Sequence, residues 1–199
     1  LFDLFKRHGI TEVVMTVGYL KDKIKAYYGD GSKFGMKISY VDEDAPLGTA
    51  GALRKIKQLL TESFIVTNGD ELKDINIDKM LEIHKKERGY GTIALTKVED
   101  PSLYGVAKLE NKKILEFVEK PKKEEAPSNL INSGFYILEP EIIERLPDGF
   151  AMFEKDLFPF LAKEGKLTGF PFDGQWFDTG SMERLERARE NWKGLKKSI

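Results

Sequence analysis

Hydrophobic and polar positions along the first half of the chain alternate between the periods of strands and helices. Compact apolar segments suited to strands are separated by segments whose apolar side chains recur every three to four residues, as in amphipathic helices. The predicted strands are 12–17, 37–41, 63–67 and 92–98, and the predicted helices are 1–8, 20–28, 48–60 and 77–87. This order predicts an α/β fold in which helices pack on both faces of a largely parallel sheet.

The pattern changes after Asp100-Pro101, where shorter strands follow one another. Strands 105–110 and 113–119 flank an Asn111-Lys112 turn, which predicts a hairpin, and the polar segment 120–128 predicts a surface loop. The remaining predicted elements are strand 130–138, helices 139–146 and 153–163, edge strands 166–172 and 175–178, and a helix from the cap Ser181 to Trp192. No linker divides the 199 residues, so the sequence predicts a single domain, 1–199.

Composition and charge exclude several functional classes. The 32 basic and 33 acidic side chains are spread along the chain and give a net charge of -1, so no field exists to bind nucleic acid. The absence of Cys excludes disulfides and thiolate chemistry, and the two histidines, His8 and His84, are expected on helix surfaces rather than at a zinc site. No apolar segment approaches the roughly 20 residues that cross a bilayer, so we expect a cytoplasmic protein with no membrane partner.

Two segments at predicted strand ends carry residues suited to ligand binding. In Leu47-Gly48-Thr49-Ala50-Gly51, the glycines would let the backbone approach a flat or anionic ligand, although two glycines before a helix also make an ordinary turn. Asn68-Gly69-Asp70 follows an apolar strand, where ligands of open sheets bind and where magnesium would find carboxylate oxygen. The alternative for Asp70 is a hydrogen-bonding turn residue.

Three further segments are ambiguous when each is taken alone. Glu119-Lys120-Pro121 ends a strand with an acid and an amine, which suits hydroxyls and a phosphate or simply a solvated edge. Asn132-Ser133-Gly134 places a polar amide in an apolar strand, where a structural network or a ligand must satisfy it. Asp178, within Trp176-Phe177-Asp178-Thr179-Gly180, precedes a helix and suits either a cap or a metal ligand.

Taken in order, these segments resemble the sugar-phosphate nucleotidyltransferase family over nearly the whole chain. The likeness implies a three-layer α/β/α, Rossmann-like nucleotidyltransferase fold with a mixed, mostly parallel central sheet. The segment 47–51 is most similar to that of the mannose-1-phosphate guanylyltransferase branch, because thymidylyl enzymes carry a Gln there. Tyr104-Gly105-Val106 and Glu119-Lys120-Pro121 resemble the family's sugar and phosphate contacts.

The resemblance implies in-line attack of a sugar 1-phosphate, such as mannose 1-phosphate, on the α-phosphorus of a nucleoside triphosphate such as GTP. A nucleotide sugar and pyrophosphate are the implied products, and alignment and charge neutralisation supply the catalysis. In this scheme Asp70 and Asp178 hold Mg²⁺ and Lys120 holds the sugar phosphate. Glu119, Asn132 and the Gly105 backbone bind sugar hydroxyls, and the segment 47–51 binds the base. A homo-oligomer is left open.

The chain departs from the family pattern at its beginning. The sequence contains neither the first buried strand nor the Gly-rich signature loop that binds the triphosphate, and no such loop occurs after Ser181. We therefore expect weak or no turnover from these 199 residues alone.

Three alternatives remain from the sequence. A non-catalytic, regulatory relative would bind a nucleotide sugar without making it. A glucose-1-phosphate thymidylyl- or uridylyltransferase would differ only in base and sugar. A glycosyltransferase would use an Asp-x-Asp metal motif, for which Asp42-Glu43-Asp44 is the one candidate, but its position directly before the segment 47–51 favours a solvated loop.

Overall fold

The computed structural model describes residues 1–196 as an α/β domain. Its α-helices are α1 (Phe2–Arg7), α2 (Lys21–Tyr28), α3 (Ile77–Glu87), α4 (Phe158–Lys163) and α5 (Met182–Asn191). Its strands are β1 (Glu12–Val17), β2 (Lys37–Asp42), β3 (Phe64–Thr67), β4 (Glu71–Lys73), β5 (Gly91–Lys97), β6 (Gly105–Glu110), β7 (Lys113–Glu119), β8 (Leu130–Leu138), β9 (Leu167–Pro171) and β10 (Trp176–Asp178). Residues 197–199 of the predicted domain lie outside this range. No helix within residues 1–196 is long and apolar enough to cross a bilayer.

The central sheet has the strand order β3-β8-β5-β9-β7-β6 and is mixed, as predicted. The expectation of a mostly parallel sheet is wrong for the described pairings, since β5–β9 is the parallel pair and the other pairs of this sheet are antiparallel. The reason is that β8 enters after the β6–β7 hairpin and runs between β3 and β5 in the opposite direction. The edge position expected for 166–172 is also wrong, because β9 lies between β5 and β7.

Apolar side chains cover both faces of the sheet, which gives the predicted three layers. Along β8, Tyr136 and Leu138 join one cluster, and Phe135 and Ile137 join the other, as the period of two requires. The first cluster holds Leu53, Ile56, Phe153, Phe158 and Leu161, and the second holds Leu4, Phe5, Met80 and Phe170. Burial of each large side chain stabilises the fold by about 1.5–3 kcal/mol.

The parallel pair β1–β2 forms a separate two-stranded sheet within the described residues. Val14 packs against the first cluster, whereas Val13 and Met15 pack against the second. The pair therefore continues the same layer order beside the central sheet.

Several predicted helices differ in type from the α-helix. Gly51–Leu59 and Pro140–Arg145 are 3₁₀-helices, and Phe153–Leu157 is a π-helix that leads into α4. Pro159 in the first turn of α4 lacks a backbone N–H, so the α-helical hydrogen-bond pattern cannot run through it. Residues 48–50 are not helical, because Gly48 has a φ of +74° and Ala50 bonds to Ala151 instead.

The surface position expected for both histidines is wrong. His84 follows Ile77 and Met80 at helical spacing on the buried face of α3. Its imidazole lies 2.8 Å from Thr92 Oγ1 and 2.7 Å from Glu139 Oε1. His8 is half-buried and lies 2.7 Å from Asp78 Oδ2. Both histidines are therefore structural hydrogen-bonding groups.

Candidate active site

Asp70 and Asp178 lie next to each other, although 107 positions separate them in the sequence. Antiparallel pairing of β4 with β10 places Asp178 opposite Glu71, and Thr179 donates two hydrogen bonds to the carbonyl oxygen of Asp70. A methyl group built on Gly180 would lie 3.2 Å from Asp178 Oδ1 and 3.2 Å from Asp70 Oδ2. The two carboxylate oxygens are therefore at most twice 3.2 Å, or about 6.4 Å, apart.

The surroundings of the two carboxylates suit a hard cation that also binds a substrate. Asp178 Oδ1 accepts a 2.8 Å hydrogen bond from the Gly180 N–H, Oδ2 binds the Arg184 guanidinium, and Asp70 is exposed. Among the described residues, no group of three or more acids or histidines could hold a metal ion alone. Mg²⁺ commonly binds one or two carboxylates and takes its other ligands from phosphates and water, so this pair fits it.

A buried ionic network supports the turn that carries Asp70. Lys73 donates to the carbonyl oxygens of Ser133 at 2.6 Å and Gly134 at 3.1 Å, and its Nζ lies 3.1 Å from Glu71 Oε2. Glu71 also accepts hydrogen bonds from Asn68 Nδ2 at 2.9 Å and Trp176 Nε1 at 2.7 Å. Burial raises the pKa of Glu71 and lowers that of Lys73, and the attraction between the two charges opposes both shifts. The network joins both sides of the candidate metal site.

We expect Gly134→Ala to destabilise the protein through this network. Gly134 has a φ of +59°, and an added methyl group would overlap Asn68 Nδ2 and Glu71 Oε1. Gly165→Ala is the matched control, because Gly165 has a φ of +67° and open space around it. The free energy of unfolding in urea should fall by about 1–2 kcal/mol more for Gly134→Ala, since overpacking adds to the shared backbone strain. Equal losses of stability in the two variants would mean that Asn68 and Glu71 move aside for the methyl group without a loss of free energy.

Glu119 and Lys120 lie where β7 ends, and β6 begins opposite them with Gly105. Gly105 pairs with Glu119, and a side chain at Gly105 would contact Glu119 Oε2 at 2.9 Å. This oxygen is buried and has no hydrogen-bond partner among the described residues. Burial raises the pKa of Glu119, and the negative charge of Glu154 adds to that rise. The Lys120 side chain is 65% exposed and lies 3.8 Å from Glu119 Oε1, so it is free to reach a phosphate.

Asn132 lies in β8 with its amide already engaged inside the protein. Its Nδ2 donates to Tyr136 Oη at 2.8 Å, and its Oδ1 accepts from the Gly134 N–H at 2.9 Å. The amide keeps one further N–H, and one further acceptor site on Oδ1, for a ligand. Burial raises the pKa of Tyr136 far above its usual value, so this phenol stays neutral.

The segment 47–51 is held against residues 149–154. Ala50 donates to the carbonyl of Ala151, and Ala151 donates to the carbonyl of Leu47, both at 2.9 Å. Side chains at Gly48 and Gly51 would overlap this neighbouring backbone. Thr49 Oγ1 donates to Glu154 Oε2 at 2.7 Å and accepts from the Phe153 N–H at 3.0 Å. Because Ala50 is fully buried and the Thr49 hydroxyl is engaged, ligand binding by this segment falls to backbone groups other than the Leu47 carbonyl and the Ala50 N–H.

Contacts between aromatic rings connect the two halves of the site. Tyr104, directly before Gly105, packs edge-on against Trp176 with ring centroids 5.4 Å apart. The structure therefore brings Asp70 and Asp178 together, Gly105, Glu119 and Lys120 together, and Thr49 into contact with the buried Glu154.

Sequence reasoning did not identify several residues that shape the site. These are Glu71, Lys73, Tyr136, Glu154 and Arg184. For Glu154 the sequence gives little signal, because it stands beside Lys155 and Asp156 in an ordinary charged turn of a predicted helix. For Glu71 and Lys73, the three-residue strand β4 is too short to show a period.

Comparison with known proteins gives relatives of one kind. A protein-family model described as "Nucleotidyl transferase" matches residues 2–193. The chain is 40% identical over 178 residues to "Mannose-1-phosphate guanyltransferase beta-B" of Xenopus laevis, covering 86% of this chain and 49% of that protein. It is 36% identical over 203 residues to "UTP--glucose-1-phosphate uridylyltransferase" of Synechocystis sp., covering 92% of this chain and 51% of that protein. The chain thus spans about half the length of the curated relatives it matches.

Solved structures agree with this likeness. A putative glucose-1-phosphate thymidylyltransferase from Bacillus anthracis superposes with a TM-score of 0.84 at 25% identity, covering 98% of this chain and 82% of that one. HddC from Yersinia pseudotuberculosis gives a TM-score of 0.80 at 27% identity, covering 97% and 84%.

Proposed function

This chain belongs to the nucleotidyl transferase family, and we propose that it forms part of an enzyme that joins a sugar 1-phosphate to a nucleoside triphosphate. Mannose 1-phosphate and GTP are the proposed substrates, since several of the similar proteins are mannose-1-phosphate guanylyltransferases. The observation that supports the proposal most strongly is the approach of Asp70 to Asp178, which the contact of Trp176 with Tyr104 connects to the strand end that carries Glu119 and Lys120. Mg²⁺ and a cytoplasmic location belong to the same proposal.

The proposed reaction forms one bond and breaks one. An oxygen of the sugar phosphate attacks the α-phosphorus, and the bond from that phosphorus to the bridging oxygen breaks, so that pyrophosphate leaves with its electron pair. The attacking oxygen is already anionic, so no side chain has to remove a proton.

The residues of this chain then align the reactants and balance charge. Lys120 places its ammonium on the sugar phosphate, and Glu119 and Asn132 orient the sugar through its hydroxyls. Asp70 and Asp178 would hold Mg²⁺, which supplies positive charge at the transferred phosphate. Arg184 fixes one oxygen of Asp178 and leaves the other turned toward Asp70.

A pyrophosphate-release screen in the full natural chain tests the proposal. GTP, dTTP, UTP and CTP are each combined with mannose 1-phosphate and glucose 1-phosphate, with Mg²⁺ and with EDTA. We expect magnesium-dependent release, fastest with GTP and mannose 1-phosphate. Release that is fastest with UTP or dTTP and glucose 1-phosphate would favour the uridylyl- or thymidylyltransferase alternative. Tight binding of a nucleotide sugar without release from any pair would contradict an enzyme and favour a regulatory protein.

A further inference from the structure

Glu154 is a buried carboxylate that lies between two parts of the candidate site. It belongs to the π-helix Phe153–Leu157, and only 8% of its surface is exposed. Its Oε2 accepts the Thr49 hydroxyl at 2.7 Å, which connects it to the segment 47–51. On the other side, the neighbouring Phe153 packs against Tyr136 with ring centroids 5.3 Å apart, and after burial the charge of Glu154 adds to the raised pKa of Tyr136 and of Glu119. Glu154 therefore interacts both with the segment 47–51 and with the region of Glu119 and Tyr136.

Two carboxylate oxygens in this region, Glu154 Oε1 and Glu119 Oε2, have no hydrogen-bond donor within residues 1–196. Within residues 1–196, Thr49 is the only side chain that donates to Glu154, so its Oε1 accepts no hydrogen bond. Oε2 of Glu119 is buried without a partner in the same part of the chain. Leaving the buried Glu119 oxygen unpaired costs free energy, and Glu154 Oε1 accepts no hydrogen bond within the described residues, so both oxygens can take a ligand that donates hydrogen bonds. The hydroxyls of a neutral sugar have this chemistry, whereas a sugar that carries its own carboxylate would be repelled.

We propose that Glu154 binds a hydroxyl of the sugar 1-phosphate through Oε1 while Oε2 holds Thr49, so that sugar and nucleotide bind cooperatively. This inference rests on the proposed function. A sugar hydroxyl fixes the Glu154 carboxylate, and the fixed carboxylate holds the hydroxyl of Thr49 within the segment 47–51. Binding of either substrate therefore orders side chains that the other substrate also needs ordered. By linkage, each substrate must raise the affinity for the other by the same factor.

Calorimetry of nucleotide binding measures this coupling directly. The full natural chain is titrated with a GTP analogue that carries carbon at the α–β bridge, with and without saturating mannose 1-phosphate. We expect mannose 1-phosphate to tighten analogue binding about fivefold or more in the wild type, the lower range of typical couplings. In Glu154→Gln and in Thr49→Val the enhancement should fall below about twofold, and the double variant should lose no more than either single one.

A second measurement separates this role from a purely structural one. Burial and then the charge of Glu154 raise the pKa of Glu119, whereas Lys120, 3.8 Å away, and Lys155 lower it. Glu154→Gln removes that charge, so the pKa of Glu119 should fall. The acid limb of mannose 1-phosphate affinity should then move to lower pH, while the titration of the phosphate itself is common to both proteins.

Glu164→Gln is the matched control, because Glu164 pairs with Arg145 at the surface and should leave the coupling unchanged. If Glu154→Gln lowers the melting temperature but keeps the wild-type coupling and acid limb, Glu154 is only structural and the inference is overturned. If the wild type binds both ligands without any coupling, the inference also fails, although the proposed function stands. If the wild type binds neither ligand, both fail together.

Discussion

The Asp70→Asn variant is expected to release pyrophosphate about 10²–10³-fold more slowly than the wild type at saturating Mg²⁺. The substitution keeps the shape of the side chain but removes one of the two charges that face each other near Gly180. Mg²⁺ binding depends on that charge, and the transferred phosphate would lose its counterion. Asp70 suits this test better than Asp178, since Asp178→Asn would also leave the Arg184 guanidinium without its partner.

The measurement is the rate of pyrophosphate release as a function of Mg²⁺ concentration in the full natural chain. Asp148→Asn is the control, because the Asp148 side chain is 97% exposed and pairs with Arg54 at the surface. The control should match the wild type at every Mg²⁺ concentration. A rate for Asp70→Asn within about threefold of the wild type would remove Asp70 from the metal site, given the size of effect expected for such a group.

Lys73→Met is expected to lower the free energy of unfolding by about 3–5 kcal/mol, as is typical when one partner of a buried ion pair is removed. The Lys73 side chain is fully buried, and its ammonium neutralises Glu71 and satisfies the carbonyls of Ser133 and Gly134. Met fills a similar volume but leaves a buried carboxylate without its counter-charge. Urea denaturation followed by circular dichroism gives the loss.

A second substitution tests the cause of that loss. Glu71→Gln in the Lys73→Met background removes the uncompensated charge and keeps a side chain that Asn68 and Trp176 can hydrogen-bond. The double variant should be more stable than Lys73→Met alone. Lys85→Met, at an exposed position in the last turn of α3, should change stability little. If the double variant is no more stable, packing rather than charge explains the loss.

The sequence of motifs along the chain was enough to predict which residues belong to the site. It was not enough to predict which of them contact each other. Asp70 could be proposed because it follows an apolar strand, and Asp178 because it precedes the cap Ser181. Their approach depends on the pairing of β4 with β10, and strands of three residues carry no usable period. The distance between the two carboxylates is therefore set by the folded structure and cannot be read from the sequence.

The direction of the central strands and the type of several helices could not be predicted from the sequence for a related reason. The alternation of helices and strands in the first half is local, whereas the direction of β8 between β3 and β5 is set by pairing across the whole domain. The prediction of a helix over 153–163 was correct, but its first part is a π-helix, and Glu154 in that part accepts the Thr49 hydroxyl. The sequence did not single Glu154 out, because Lys155 and Asp156 follow it directly in the same helix.

The packing of Trp176 against Tyr104 gives the protein a built-in optical reporter. The chain has only two tryptophans, and the indole of Trp176 packs against Tyr104, the residue directly before β6, while its N–H donates to Glu71. Trp192 instead packs against Phe177 with ring centroids 6.2 Å apart. Emission from Trp176 therefore depends on an environment shared by the metal and sugar sides, so fluorescence follows ligand binding at either side without an attached dye.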